Sequence, residues 1–522
     1  MRLPGSDWLL IATAALLLTL AYPPFTLVVP AFVCLIPAAL LILRRARDAN
    51  AWRLHLRQGF WYGTVTHGAL FYWLAVALWE YGRSTIALYL VAAVMFGGAT
   101  AVMFAVVGRI ARHSPNRLLV ALPAGVVVLE WLAAQVGPIG FPWHQLALTV
   151  TALPVLVQTA DLAGAGGLGF IVATINVSLA LAWWTRQRRT VALAHVEVAA
   201  TVLFLVTLYG LHRLNTLPLE PGAIVAVVQP NVTVHEKWTP IGQDAIVERT
   251  IRLAEEAIAD AHPEFIAWPE TALPDALRSH PAWTTRVTQL ARRSRSTILT
   301  GGVDLESSVD GPPRRYNAAF AFHATAGTTV PVVHRKQKLI PMIEWVPGGA
   351  LDLSRTGFGG FTPGRATHVA DSPIGRYGTL LCYELTFADM SRTLRRAGAE
   401  VLVTLSNDAW FGRTAAPHQH FAHATLRAVE NRVTVVRAAN TGVSGIVDPL
   451  GRVVTRTEPF EETYAVGRVQ RSSVVPLAVH VGGMVGPVAL GLLLILLFPV
   501  RILRAIPRFG LQDLLERGRL AP

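Results

Sequence analysis

Tyr377-Gly378-Thr379-Leu380-Leu381-Cys382-Tyr383-Glu384 is an apolar run that ends on a thiol followed by a carboxylate. Similar short apolar runs recur from about residue 220, separated by polar, helix-like segments. Strands are expected near 224–229, 265–268, 297–301, 317–322, 377–382, 401–405 and 434–437, and helices near 242–260, 284–294, 387–397 and 418–432. Several of these strands are apolar throughout. That pattern suits a sheet covered by helices on both faces, or two sheets stacked beneath helices, so an α/β domain is expected over about 220–472. The region shows no internal repeat, low-complexity tract or G-x-x-x-x-G-K-S/T loop, and nucleotide binding has no support in it.

Outside this region the chain is much more apolar. Of 522 residues 52% are hydrophobic and 15% charged, and the mean hydropathy is +0.43, which does not suit a fully water-soluble protein. Runs long enough to cross a bilayer lie near 8–22, 24–43, 59–79, 85–108, 118–135, 165–184, 192–211 and 483–500, about eight spans in all. About seven of them form an N-terminal bundle over 1–212; a last helix at 480–503 precedes a tail at 504–522. The first run follows Arg2 like a signal peptide, but a second span begins just after Tyr22-Pro23-Pro24, so it is read as retained.

The net charge of +13 could point to nucleic acid, but the basic residues are placed otherwise. Arg44, Arg45, Arg47, Arg53 and Arg57 follow the second span, Arg109, Arg112 and Arg117 the fourth, and Arg186, Arg188 and Arg189 the sixth. The alternate loops carry almost none. Lys/Arg-rich short loops stay in the cytoplasm, so both termini are expected inside and the α/β domain outside; no nucleic-acid partner is implied.

Three places hold groups that are costly unless they serve a site. Trp268-Pro269-Glu270-Thr271 places a carboxylate past a buried strand, Lys336 follows Val332-Val333 beside Leu339-Ile340-Pro341, and Cys382 ends the run quoted above. A thiol of pKa about 8.5 needs a base or a neighbouring cation to act as a nucleophile. Glu270 could take the proton and Lys336 could stabilise thiolate and oxyanion. Singly, each has an ordinary reading: a packed core thiol, a turn carboxylate, a solvated lysine. The other cysteine, Cys34, lies within a span, and two such separated thiols support neither a disulfide framework nor a cysteine-rich metal site. His418, His420 and His423 have a spacing that does not put all three on one helix face, so a zinc site is disfavoured and core or surface histidines are expected. Asn407 and Asp408 follow an apolar strand and either orient the site or cap the next turn.

In the order of its glutamate, lysine and cysteine motifs the chain resembles the nitrilase superfamily. It is more closely similar to the apolipoprotein N-acyltransferase family, the integral membrane member. The matching stretches are Gly140-Phe141-Pro142-Trp143, Gln229-Pro230-Asn231, Lys237-Trp238, Trp268-Pro269-Glu270-Thr271, Lys336 with Leu339-Ile340-Pro341, Glu344-Trp345-Val346-Pro347, Cys382-Tyr383-Glu384, Ser406-Asn407-Asp408-Ala409-Trp410-Phe411-Gly412 and Arg437-Ala438-Ala439-Asn440-Thr441-Gly442. The resemblance implies an αββα sandwich beside a membrane bundle in a bacterial inner membrane, with Glu270, Lys336 and Cys382 catalytic and Trp238, Glu344, Tyr383 and Glu384 engaging substrate. It implies no metal or cofactor. The implied reaction moves an acyl chain from a glycerophospholipid, through a Cys thioester, to the N-terminal amine of diacylglyceryl-cysteine lipoproteins. Two departures stand out: Lys336 sits among His334, Arg335 and Lys338, with Lys338 as the alternative lysine, and Ala133 follows Glu130-Trp131-Leu132 where an arginine is common.

A membrane-anchored amidase acting on a small C–N substrate would use the same triad, but about eight spans exceed what an anchor requires. A transporter with an outer sensing domain is weaker still, because Glu130 is the main ionisable residue within a span. Finally, Ile343, Trp345, Phe358 and Phe361 fall in a Gly-rich stretch at 342–364, which is expected to form a membrane-facing lid.

Overall fold

The computed structural model describes residues 3–79, 86–237, 240–307, 313–324, 330–341, 343–345 and 360–498. Among these, six helices are long and apolar enough to cross a membrane: Val28–Arg45, Ile86–Ala111, Pro115–Gln135, Ala160–Trp184, Arg189–Thr216 and Leu477–Leu497. They account for six of the expected spans. The first expected span is the shorter apolar helix Gly5–Ala21. The third is divided at Phe71 into Ala51–Leu70 and Tyr72–Trp79. Leu203, Phe204, Leu205, Leu208 and Leu211 stand exposed along Arg189–Thr216, a surface that lipid solvates and water does not. The chain is a membrane protein.

The α/β region contains two six-stranded sheets. In chain order the strands are β1 (Glu220–Gln229), β2 (Phe265–Ala267), β3 (Thr297–Glu306), β4 (Arg314–Phe322), β5 (Val332–Arg335), β6 (Val369–Ala370), β7 (Tyr377–Leu381), β8 (Val401–Ser406), β9 (Thr434–Ala439), β10 (Gly445–Val447), β11 (Val453–Arg456) and β12 (Thr463–Arg471). One sheet runs β12-β1-β2-β3-β4-β5 and the other β11-β10-β9-β8-β7-β6. Side chains alternate between faces along each strand. Val225 and Val227 of β1 therefore meet Val401, Val403 and Leu405 of β8 in the core between the sheets. The intervening Ala226 and Val228 pack outward with Val247 and Ala254 of helix Pro240–Ala261 and Val287 and Leu290 of helix Pro281–Ser294. On the other side Leu402 and Val435 pack with Leu394 of helix Ala388–Arg396 and Leu426 of helix Ala416–Asn431. The result is the expected αββα sandwich, and its continuously apolar strands are those buried on both faces.

That second helical layer also packs on the bundle. Leu426 and Val429 share one core with Leu146, Leu156, Ala160 and Val172 from the membrane region. Polar contacts cross the same seam: Arg432 Nη2 lies 2.6 Å from Asp161 Oδ2, and Arg427 Nη2 donates to Gln145 Oε1 at 2.9 Å. Helix Ala160–Trp184 is kinked at Gly164, whose φ of +70° suits glycine, and the Ala165 amide exposed there donates to Glu430. Glu130, an ionisable group well inside the span Pro115–Gln135, is buried, with Oε1 accepting from the Leu146 amide at 2.7 Å.

Candidate active site

Glu270, Lys336 and Cys382, drawn from both sheets, meet at one end of the sandwich. Glu270 follows β2 in a turn held against β3, where Gly301 N donates to Pro269 O at 3.1 Å and Leu273 N donates to Gly301 O at 3.1 Å. A Cβ on Gly301 would lie 2.4 Å from Thr271 N and 2.6 Å from Glu270 Cα, so the turn can approach only because residue 301 has no side chain. Lys336 directly follows β5, with its amide donating to Asn317 O at 2.8 Å. Cys382 ends β7 and opens a 3-10 turn, Cys382–Thr386. Its φ of 49° lies in the left-handed region, which costs an L-residue about 1–2 kcal/mol and turns the thiol off the strand end.

The Lys336 ammonium is 1% exposed and lies between two carboxylates, 2.8 Å from Glu270 Oε1 and 2.9 Å from Glu344 Oε1. Asn317 Nδ2 bridges the same two oxygens at 2.8 Å each. Glu270 Oε2 accepts from the Asn407 amide at 3.0 Å, and Glu344 Oε2 from the Ile340 amide at 2.8 Å. Burial alone would push the Lys336 ammonium down, but Glu270 and Glu344 outweigh it and hold it well above its ordinary value. Burial pushes the Glu344 carboxyl up against the pull of Lys336. The Cys382 thiol is driven up by burial and then by Glu270, with Lys336 and Ser406 opposing in part. At rest the site therefore holds a neutral thiol within electrostatic reach of a charged lysine and of Glu270.

Lys338, the alternative lysine, lies elsewhere, with Nζ 5.0 Å from the Phe387 ring. Tyr383 is buried; its hydroxyl donates to Gly140 O and its ring stacks on Phe141 at 6.1 Å. Glu384 was expected on the substrate side, but it is fully buried and its carboxylate is occupied by protein donors. These are the amides of Leu381 (2.8 Å), Gln337 (2.6 Å) and Lys338 (3.2 Å), and His334 Nε2 lies at 2.7 Å. Burial would raise this carboxyl, but His334 and the amides hold it below its ordinary value. Trp238 lies outside the described residues, as does most of the expected lid, Phe358 included. Of that stretch, Trp345 and Phe361 pack with Leu339 and Val303 against the domain.

Several residues of the site were not foreseen. Lys237 is buried, its Nζ 3.3 Å from Glu270 O, and burial brings its ammonium down to about 8 against the opposing charges of Glu270 and Cys382. Lys237 stands in the Lys237-Trp238 motif, which by itself gives the lysine no role. Asn317 reads as the first residue of an expected strand, and His334 only as part of the basic cluster around Lys336. Asn407 makes no side-chain cap; its side chain accepts from Asn440 Nδ2 at 2.9 Å while its amide holds Glu270, so the orienting alternative is the one the geometry contains.

The three histidines of the helix diverge. His423 Nε2 lies 2.9 Å from Trp143 O, whereas His420 Nε2 lies 3.1 Å from Cys382 O. Ligand atoms of Cys382, Asp408 and His420 lie within 4.8 Å of one another. Arg437 Nη2, however, is 2.6 Å from Asp408 Oδ2 and 3.1 Å from His420 Nδ1, so a guanidinium already supplies the positive charge there.

Residues 224–478 match the carbon-nitrogen hydrolase family, and residues 14–178 match the apolipoprotein N-acyltransferase N-terminal domain. The apolipoprotein N-acyltransferase of Geobacter metallireducens is 32% identical over 481 residues, covering 90% of each chain. That of Brucella melitensis is 30% identical over 428 residues, covering 77% of each. Saccharomyces cerevisiae Nit3, a solved member of branch 10 of the nitrilase superfamily, aligns with a TM-score of 0.37 at 17% identity, over 56% of this chain and 97% of its own. With a carbon-nitrogen hydrolase domain joined to this membrane bundle and the likeness to curated relatives running over nine-tenths of its length, the chain belongs to the apolipoprotein N-acyltransferase family.

Proposed function

We propose that this protein transfers a fatty acyl chain from a glycerophospholipid to the N-terminal amine of diacylglyceryl-modified apolipoproteins, with Cys382 as nucleophile, Glu270 as general base and Lys336 as the cation of the site. The observation that carries the reading is the buried Glu270–Lys336 pair, set close enough to Cys382 to bear on its thiol, in a chain of this family. Glu270 takes the thiol proton as sulfur attacks the ester carbonyl. The C–O bond breaks, the proton passes to the departing lysophospholipid oxygen, and an S-acyl enzyme remains. Lys336 and the Tyr383 amide stabilise the oxyanion of the tetrahedral intermediate. The acceptor amine then attacks the thioester, a C–N bond forms, its proton passes to Glu270, and the thiol is regenerated.

Glu344 is a second carboxylate on Lys336, Asn317 bridges it to Glu270, and Glu384 ties the lysine segment to the cysteine turn, so the role of Glu384 is read as positioning rather than substrate contact. Trp238 and Tyr383 are assigned to the substrate side on the family motif. The arginine-rich alternate loops support an inner-membrane placement with both termini cytoplasmic and the sandwich outside. Hydrolysis of a small C–N substrate is not favoured, because the likeness extends through the bundle to residues 14–178. Mass spectrometry of the purified protein incubated with phospholipid should find an acyl mass on the Cys382 peptide; an unmodified peptide under conditions that give acylated product would overturn the proposal.

A further inference from the structure

His420 lies fully buried on helix Ala416–Asn431, wedged between the rings of Trp143 (centroids 5.1 Å apart) and Phe411 (6.2 Å). Its Nε2 faces the Cys382 carbonyl at 3.1 Å. A carbonyl oxygen only accepts, so Nε2 carries the hydrogen. Nδ1 lies 3.1 Å from Asp408 Oδ1 as well as from Arg437 Nη2; in the neutral ring it is a lone pair and accepts its hydrogen bond from Arg437 Nη2. The same nitrogen gives its other hydrogen to Asp408 Oδ2 at 2.6 Å, while Asp408 Oδ1 accepts from Ser406 Oγ at 2.6 Å. Burial and then Arg437 push the imidazole down from its ordinary value, with Asp408 opposing, which agrees with a neutral ring.

A trans peptide is planar, and its C=O and N–H point in opposite directions. Holding the Cys382 carbonyl on the helix side therefore directs the Tyr383 N–H to the other side. That amide lies in the first turn of the 3-10 helix Cys382–Thr386, where amides have no acceptor within the helix. We infer that His420 is a positioning residue for acyl transfer, its Nε2 hydrogen fixing the Cys382–Tyr383 peptide so that the Tyr383 amide meets the developing oxyanion, with Arg437 and Asp408 anchoring the ring at Nδ1. The inference rests on the reading of Cys382 as nucleophile.

Two reactions of one thiol separate positioning from general structural support. Acyl transfer from an ester develops an oxyanion, whereas alkylation by iodoacetamide displaces iodide and develops none at the Tyr383 amide. Full-length protein in detergent would be assayed for S-acyl formation with a dioleoyl glycerophospholipid and for Cys382 alkylation. His420→Phe keeps a ring but removes the donor: the rate of S-acyl formation should fall roughly 30- to 100-fold, below the loss of about 10²–10³ seen when an oxyanion donor is deleted outright. The KM for phospholipid and the alkylation rate should stay within about twofold, and His420→Gln, which retains an N–H, should recover much of the loss. S-acyl formation at the wild-type rate in His420→Phe, or a parallel fall of both reactions, would overturn the inference. If that variant does not fold, Arg437→Lys carries the test: it keeps a charge for Asp408 but not the paired donors, and the same split is expected, with a parallel fall or no fall counting against it. A wild-type protein that never acylates Cys382 refutes the nucleophile itself, a result distinguishable from any of these.

Discussion

At the scale of single residues, the proposed chemistry turns on a thiol that burial makes a poor acid and on Glu270 as the base that takes its proton. Cys382→Ala should abolish both the S-acyl enzyme and acylated product, while Cys34→Ala should leave both nearly intact, because Cys34 is buried among apolar side chains of the bundle. Product assay and peptide mass spectrometry on the two variants decide this, and acylation retained in Cys382→Ala would remove that residue from the mechanism. Glu270→Gln keeps an acceptor for Lys336 but cannot take the proton. S-acyl formation should slow by roughly 10²–10⁴-fold with the thermal midpoint close to wild type, and a rate near wild type would exclude Glu270 as base. Glu384 gives a signature in acid. Its folded-state pKa is depressed, so its stabilising effect is complete above the unfolded carboxyl value of about 4.3 and is lost as pH falls through the lower folded value. Wild type should therefore melt above Glu384→Gln at pH 6, and the gap should narrow toward pH 3; a gap independent of pH would mean that the charge is not what stabilises. Glu270, Lys336 and Cys382, the proposed base, cation and nucleophile, stood out in the sequence because each ends or follows an apolar run within a recognisable motif. Asp408, His420 and Arg437 were not legible as a unit. Their spacings of 12 and 17 residues mean nothing until the helix Ala416–Asn431 and the strand β9 bring them together.

At the scale of elements, apolar strands buried on both faces could be read in advance and half-exposed ones could not. The expected runs correspond to β1 to β4 and β7 to β9. β5 was missed because Val332–Arg335 offers two apolar residues before a histidine and an arginine, β6 and the buried β10 because they are only 2 and 3 residues long, and β11 and β12 because their residues are largely exposed or intermediate. The missed strand β5 is the one that delivers Lys336. The third membrane run was likewise read as one span where the chain divides at Phe71. The contact of β3 with the glutamate turn yields a prediction of its own. In Gly301→Ala the new methyl must displace backbone at Thr271 and Glu270, and a shift of about 1 Å in a catalytic group can cost roughly 10²-fold in rate. S-acyl formation should fall by about that factor while iodoacetamide still reaches Cys382; an unchanged rate would show that the turn relaxes without moving the carboxylate.

At the scale of the whole molecule, sandwich and bundle are joined by a seam that is apolar in the middle and pinned by buried charge. Arg432 pairs with Asp161, which Arg213 also approaches at 2.9 Å, and Arg432 further donates to Gln158 Oε1 at 2.7 Å. Removing one partner of a buried pair leaves the other uncompensated and typically costs about 3–5 kcal/mol. Arg432→Ala should lower the unfolding free energy in detergent by an amount toward the lower end of that range, since Arg213 remains beside Asp161. A loss below about 1 kcal/mol would mean that the apolar contacts alone hold the halves together. Trp143 lies at the centre of this seam: it comes from a bundle loop, yet its indole donates to Gln419 Oε1 at 2.9 Å and its ring packs on Phe411 and His420. In evolutionary terms the two halves cannot drift separately at this point. A change of size at Trp143 is tolerable only with a matching change at Phe411, Gln419 or His420, so these positions are expected to covary across relatives even though Trp143 and Gln419 lie 276 residues apart.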